Sequence, residues 1–300
     1  MPKPSADTVF DALPERFRGP LEACAGRELA PNVALMRLLI EAQSAEEIER
    51  AISRAKRMIG ISDQLDVLST LWLNARGAFG TVKSVLAMAD HQGAWTETDW
   101  ARIFDELADV SPEAGVALYS LGSPALLELA TRSLVRKLNE WGLLDKTRTV
   151  LDLGCGIGRV CAALASEVQA VVGIDVSVKM LEIARRRCAT CSNVLLAKTS
   201  GRDLAVFADE TFDLVLAVDI FPYLMLAGDE VAHQHIHEAR RVLKTGGSLV
   251  VFNYAYDMNP AASAEAFKRQ ADEAGLAAVR VGTHDLDWWD GITYFARRTA

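Results

Sequence analysis

The stretch Thr149-Val-Leu-Asp-Leu-Gly-Cys-Gly-Ile-Gly-Arg159 limits what this chain can become more than any other. Val150, Leu151 and Leu153 make an apolar run of the length a buried parallel strand needs. Gly154, Gly156 and Gly158 then interrupt every regular pattern, and Arg159-Val-Cys-Ala-Ala-Leu-Ala165 resumes at helical spacing. The order is strand, glycine loop, helix N-terminus. Such a loop lets backbone N–H groups come close to a ligand that side chains would hold off.

Two ligand classes use this architecture, and the residues discriminate between them. A dinucleotide needs G-x-G-x-x-G or G-x-G-x-x-A, with its pyrophosphate on the helix N-terminus. Here the third position of that pattern is Arg159, and the glycines run G-x-G-x-G. Asp152 at the strand end would repel a pyrophosphate and attract an ammonium or sulfonium cation. That favours S-adenosylmethionine over NAD. The next strand, Val171-Val-Gly-Ile-Asp-Val176, ends in Asp175, where an acid binds ribose hydroxyls.

Four motifs in order carry a resemblance. Leu151-Asp-Leu-Gly-Cys-Gly-Ile-Gly158, Gly173-Ile-Asp-Val-Ser177, Phe212-Asp-Leu-Val-Leu-Ala-Val-Asp219 and Arg241-Val-Leu-Lys-Thr-Gly-Gly247 stand in sequence, the last leading into Ser248-Leu-Val-Val-Phe252. Together they make residues 149–300 similar to the class I S-adenosylmethionine-dependent methyltransferases. The resemblance implies a Rossmann-like, mostly parallel seven-stranded sheet with a C-terminal antiparallel hairpin. It covers about half of the chain and does not reach the first 110 residues or so.

Three hundred residues provide for one large domain or two modest ones. A formal charge of −8 argues against nucleic acid as the main partner, since phosphate binding needs a basic surface. Five cysteines and the opening Met1-Pro-Lys-Pro predict a cytoplasmic protein with free thiols. No apolar run approaches the ~20 residues of a membrane span.

The first third reads as helices. The prolines at 2, 4, 14 and 20 predict an irregular opening with short helices. Residues 32–42 are helical, and Ser44-Ala-Glu-Glu47 has capping-box spacing for a helix reaching Met58. Leu65, Leu68, Leu71 and Trp72, then Val82, Val85, Leu86 and Ala89, then Trp100, Ile103, Phe104 and Leu107, repeat at helical spacing. Ser111-Pro and Ser123-Pro open two more helices. The expected division is an all-helical N-terminal domain over 1–115, serving as lid, substrate or dimerisation domain, and a cofactor-binding domain over 116–300. In the second part strands are predicted near 149–154, 170–175, 193–199, 212–219, 248–254, 277–281 and 292–297. Helices are predicted over 158–167, 177–189, 229–243 and 260–274.

Ligands in such sheets sit outside the C-terminal strand ends. On the resemblance, Asp152, Gly154, Cys155, Gly156, Gly158, Asp175, Val176, Ser200, Gly201 and Asp219 would hold S-adenosylmethionine and its product S-adenosylhomocysteine. Asp152 would offset the methionine cation and Asp175 would take both ribose hydroxyls. For adenine, Ser200 or Asp203 stands where the family commonly has an acid. Asp219-Ile-Phe-Pro-Tyr223 is similar to the D-P-P-Y motif of adenine and glutamine N-methyltransferases, but has an extra residue and lacks the first proline. Asp219, Phe221 and Tyr223 should border the acceptor pocket, and Asp219, Tyr223 and His233 are the catalytic candidates.

No metal site is expected. His233 and His237 share a helix face, but no third ligand completes the set. Cys188-Ala-Thr-Cys191 is a single C-x-x-C pair without a second. Asp287-Trp-Trp-Asp290 either lines an aromatic acceptor pocket or packs against the helical half. The expected function is methyl transfer to the O, N or C of a small molecule, with a homodimer through the helical domain. Two alternatives stay open: a protein or RNA methyltransferase, and a non-catalytic S-adenosylmethionine-binding protein.

Overall fold

The computed structural model describes residues 13–89, 96–256 and 259–299. Pro2 and Pro4 of the expected irregular opening lie outside them. The helices are α1 Glu15–Ala25, α2 Pro31–Glu41, α3 Ala45–Ile59, α4 Asp63–Asn74, α5 Ala78–Ala89, α6 Glu97–Val110, α7 Pro112–Val116, α8 Pro124–Glu140, α9 Arg159–Leu164, α10 Val178–Arg187, α11 Phe221–Ala227, α12 Asp229–Val242 and α13 Pro260–Glu273. The strands are β1 Thr149–Leu153, β2 Ala170–Asp175, β3 Val194–Lys198, β4 Phe212–Val218, β5 Leu243–Phe252, β6 Leu276–His284 and β7 Ile292–Arg298.

The chain divides into two compact units. One contains the described part of residues 1–91, Val110–Ala130 and the loop Asp287–Asp290. The other contains the described part of 92–109, 131–286 and 291–300. Helix α6 therefore groups with the sheet, and the boundary on the C-terminal side falls inside α8.

The first unit has helices joined by loops and no strand among its described residues. Phe17, Leu21 and Cys24 form a buried stripe at helical spacing, which holds α1 together in spite of Pro20 inside it. Burial of each such side chain stabilises by about 1.5–3 kcal/mol, against about 3 kcal/mol for an interior proline. Ser44 caps α3 by accepting from the Glu47 N–H at 3.4 Å. The returning half of the capping box goes to Gln43 N–H at 2.9 Å. The tryptophan loop is part of this unit's core. Trp289 stacks on Tyr119 with ring centroids 5.1 Å apart, and the Trp288 carbonyl accepts from the buried Asn32 amide at 2.9 Å.

The second unit carries one sheet in the order β3-β2-β1-β4-β5-β7-β6. The first five strands in that order run parallel, and β7 pairs antiparallel with both β5 and β6. Strand alternation sorts the side chains. Leu151, Leu153, Val215, Ala217, Leu249, Val251, Tyr294 and Ala296 join the core that includes residues of α11, α12 and α13. Asp152 and Gly173 point the other way, toward Cys161 on α9. On that face Trp141, just past α8, stacks on Phe252 and Phe295 at 6.3 and 6.2 Å.

Two local features differ from the expectation. The turn before the fifth strand is a bulge within it: Phe212 pairs with Leu243, and the next pairing, Leu214 with Ser248, skips Lys244–Gly247. The segment after β4 is helix α11, with Pro222 in its first turn, where the missing N–H costs no bond.

Candidate active site at the strand ends

The glycine loop turns because its backbone is left-handed at three places. Gly154, Gly156 and Gly158 have φ of 71°, 51° and 71°. A Cβ on Gly158 would lie 2.8 Å from the Ala184 Cβ, and one on Gly154 would lie 2.9 Å from the Ile220 side chain. Ile220 follows Asp219, so the loop is packed against the segment leaving β4.

The Asp175 carboxylate closes the other side of the loop. One oxygen accepts from the Gly156 N–H at 2.8 Å and the other from the Ser177 N–H at 2.9 Å. Burial pushes its pKa up, while the N–H donors of Ser177, Gly156 and Val176 pull it down. Val176 is half-buried beside it. Asp152 is buried more deeply, at 1% exposure, and burial raises its pKa to about 6. The Cys161 thiol donates to it at 3.1 Å and Arg159 lies close enough to oppose the shift. Cys155 is buried in the loop, and burial and the charges of Asp175 and Asp152 outweigh a thiol contact with Cys161 to raise its pKa. These groups fit a cationic nucleoside ligand. A buried carboxylate with a raised pKa gains from a cation brought beside it, and the loop offers main-chain approach.

After β3 the expected adenine contacts are partly engaged in their own turn. The Ser200 Oγ accepts from Arg202 N–H and the Thr199 Oγ1 from Gly201 N–H, both at 3.3 Å. Ser200 is exposed. Asp203 caps the Ala205 N–H at 3.0 Å.

The side expected to face an acceptor is built by β4, β5 and α6. Asp219 and Asn253 end adjacent strands, both with positive φ, 62° and 61°. Asp219 Oδ1 accepts from the Asn253 amide at 2.9 Å and from the Tyr256 hydroxyl at 2.5 Å. Tyr223 stands edge-on to Tyr256 at 6.1 Å, to Phe104 at 5.1 Å and to Trp100 at 4.7 Å. Burial pushes the Tyr223 phenol up, and the Asp219 charge adds to it. Phe221, expected beside the pocket, instead enters the core: it is fully buried and stacks on Tyr254 at 5.8 Å.

His233 does not join this group. Its Nε2 lies 2.9 Å from that of His237 and 3.4 Å from Glu273. Glu273 is the last residue of α13, just before β6, so the His233 side chain is turned to that helix end and, among the described residues, makes no contact with Asp219 or Tyr223. Residues three and four apart share a helix face, so the spacing alone could not say which way that face turns.

Tyr256 and Asp105 were not among the sequence candidates. Tyr256 follows the strand in an irregular segment with no periodicity to read. Asp105 lies on a helix whose pattern announces only its apolar side.

A model of the methyltransferase domain family matches residues 150–247. The sheet that carries these residues has the Rossmann-like fold of the class I S-adenosylmethionine-dependent methyltransferases. The methyltransferase domain is similar to a demethylmenaquinone methyltransferase of Tropheryma whipplei, 39% identical over 107 residues, which is 36% of this chain and 42% of that protein. It is also similar to a ribosomal RNA large subunit methyltransferase G of Vibrio vulnificus, 29% identical over 186 residues, 57% of this chain and 48% of that one. Among solved structures, phosphoethanolamine N-methyltransferase 1 of Haemonchus contortus shares the fold. The TM-score is 0.52 at 16% identity, covering 70% of this chain and 51% of that one. The chain spans about half the length of the curated relatives it matches.

Proposed function

We propose that the protein transfers the methyl group of S-adenosylmethionine to a small-molecule acceptor. The observation that carries this reading is the convergence of the Gly156 and Ser177 N–H groups on the Asp175 carboxylate at the mouth of the glycine loop. When bound, the cofactor supplies an activated methyl on a sulfonium. The protein's part is to align and to manage charge. Asp175 would accept the ribose hydroxyls, and Asp152 would offset the methionine cation. Gly154, Cys155, Gly156, Gly158, Val176, Ser200 and Gly201 would form the rest of the cofactor's surroundings.

Asp219, steadied by Asn253 and Tyr256, would accept a hydrogen bond or a proton from the acceptor's O–H or N–H. Tyr223 would present its ring to the acceptor, backed by Trp100 and Phe104, which keep water from that side. His233 has no role in this scheme. Residues 1–115 would serve as a lid or as a substrate or dimerisation domain. A cytoplasmic location agrees with the reading, and no described helix is long and apolar enough to cross a membrane.

A small acceptor is supported by the relative named for demethylmenaquinone and by the net charge of −8. The relative named for ribosomal RNA favours a second reading, RNA as acceptor. Purified protein given radiolabelled methyl donor should label a fraction of a small-metabolite extract and leave RNA unlabelled. Label appearing in RNA alone would establish the second reading. Calorimetry that shows NAD bound and S-adenosylhomocysteine ignored would remove both.

A further inference from the structure

Helix α6 belongs to none of the four motifs, yet its polar side reaches the cofactor end of the sheet. Asp105 Oδ1 accepts from the Ser177 hydroxyl at 2.6 Å and from the Lys179 N–H at 3.0 Å. One turn further along α6, Asp109 pairs with the Lys179 ammonium. Ser177 is fully buried. Its N–H donates to Asp175, and its hydroxyl oxygen accepts from the Met180 N–H at 3.0 Å, capping α10. A single hydrogen-bonded chain thus runs from α6 through Ser177 and Asp175 to Gly156 of the loop.

Each group in that chain has a reason to be held. The Ser177 hydroxyl is buried and already accepts, so its own hydrogen needs an acceptor, and Asp105 provides it. Without Asp105, two donors lose their partner, one in the first turn of α10 and one, Ser177, in the turn after β2. That turn fixes one oxygen of Asp175 through the Ser177 N–H. The other oxygen is fixed by the glycine loop, so the carboxylate's orientation depends on both supports.

We propose that Asp105 is a positioning residue of the cofactor site, acting through Ser177 to keep Asp175 turned toward the ribose hydroxyls. The proposal rests on Asp175 being the ribose acid. What matters is the acceptor oxygen and not the charge, because a second carboxylate beside buried Asp175 works against its ionisation. Asn at 105 would keep the acceptor and drop the repulsion. Helix α6 then serves both sides of the site, with Asp105 toward the cofactor and Trp100 and Phe104 toward Tyr223.

The test is calorimetric titration of the full chain with S-adenosylhomocysteine and with its 2′,3′-dideoxy analogue, which lacks the hydroxyls Asp175 would hold. Asp105→Ala should weaken S-adenosylhomocysteine about ten-fold and the dideoxy analogue less than about two-fold. Asp105→Asn should stay within about two-fold of wild type for both. Equal weakening of the two ligands would reduce Asp105 to a scaffold residue, and unchanged S-adenosylhomocysteine affinity in Asp105→Ala would overturn the coupling. Asp175→Ala is the control. If it binds S-adenosylhomocysteine like wild type, the ribose-acid reading itself fails. If it weakens binding and Asp105→Ala does not, only the present proposal fails. Should Asp105→Ala not fold, Ser177→Ala removes the donor instead and decides by the same comparison of the two ligands.

Discussion

Asp219 and Asn253 end neighbouring parallel strands in the same left-handed backbone conformation, and the Asn253 amide donates to the Asp219 carboxylate at 2.9 Å. Neither is glycine, and non-glycine residues held there cost of order 1–3 kcal/mol each, persisting where the surroundings over-determine them. Here they do. Asp219 N–H donates to Phe252 O, and Asn253 N–H to Ile292 O, at 2.9 and 2.8 Å. The Asn253 side-chain oxygen accepts from the Ile292 N–H at 2.9 Å. The paired turn fixes one carboxylate at the C-terminal strand ends.

Asn253→Gly suits the backbone but removes both side-chain bonds. Stability should fall by no more than about 2 kcal/mol. Methyl transfer, measured as kcat/KM, should fall roughly 10–100-fold through misplacement of Asp219. S-adenosylhomocysteine affinity should be unchanged. Full activity in this variant would show that Asp219 needs no such support.

Asp175→Ala should weaken S-adenosylhomocysteine by about 1.5–3 kcal/mol for each charged hydrogen bond lost. The fold should survive with reduced stability, since the buried Gly156 and Ser177 N–H groups each lose their acceptor at about 1–3 kcal/mol. Circular dichroism and titration on the same sample separate the two effects.

The Asp152 carboxyl has its pKa raised by burial from 3.8 to about 6. A raised acid favours the folded state fully below the unfolded value, and that contribution is lost as pH rises through about 6. Asp152→Asn escapes this loss. The ligand-free variant should therefore be more stable than wild type at pH 7.5, by up to about 3 kcal/mol, and nearly equal to it at pH 4. A cationic ligand prefers the ionised carboxyl, so S-adenosylmethionine should bind wild type more weakly as pH falls below about 6. Melting curves with equal shifts at both pH values would contradict the assignment of that pKa.

Gly158→Ala places a Cβ 2.8 Å from the Ala184 Cβ and 3.0 Å from its Cα, at φ 71°. Left-handed strain and overpacking together should cost about 2–4 kcal/mol in urea unfolding. Gly142 has φ 67° and open space around it, so Gly142→Ala should cost only about 1 kcal/mol. Equal losses at the two sites would mean that the contact with Ala184 relaxes freely.

The alternation of short apolar runs with helical stretches after Thr149 carried the strand and helix order of the sheet, because local periodicity is written in consecutive residues. The placement of the glycine loop, Asp152 and Asp175 at the ends of β1 and β2 was legible for the same reason. What the sequence could not determine is which way a face turns and which distant element meets it. His233 and His237 share a face at the spacing expected, but that face is turned to Glu273. Phe221 and Tyr223 are two residues apart, and α11 sends one into the core and the other against Phe104 of α6. Helix α6 read as one more member of the helical half, because its apolar spacing is that of any amphipathic helix. Only the folded chain set Asp105 against Ser177 and Trp100 against Tyr223, across more than 70 and more than 120 residues of sequence, where no local pattern reaches.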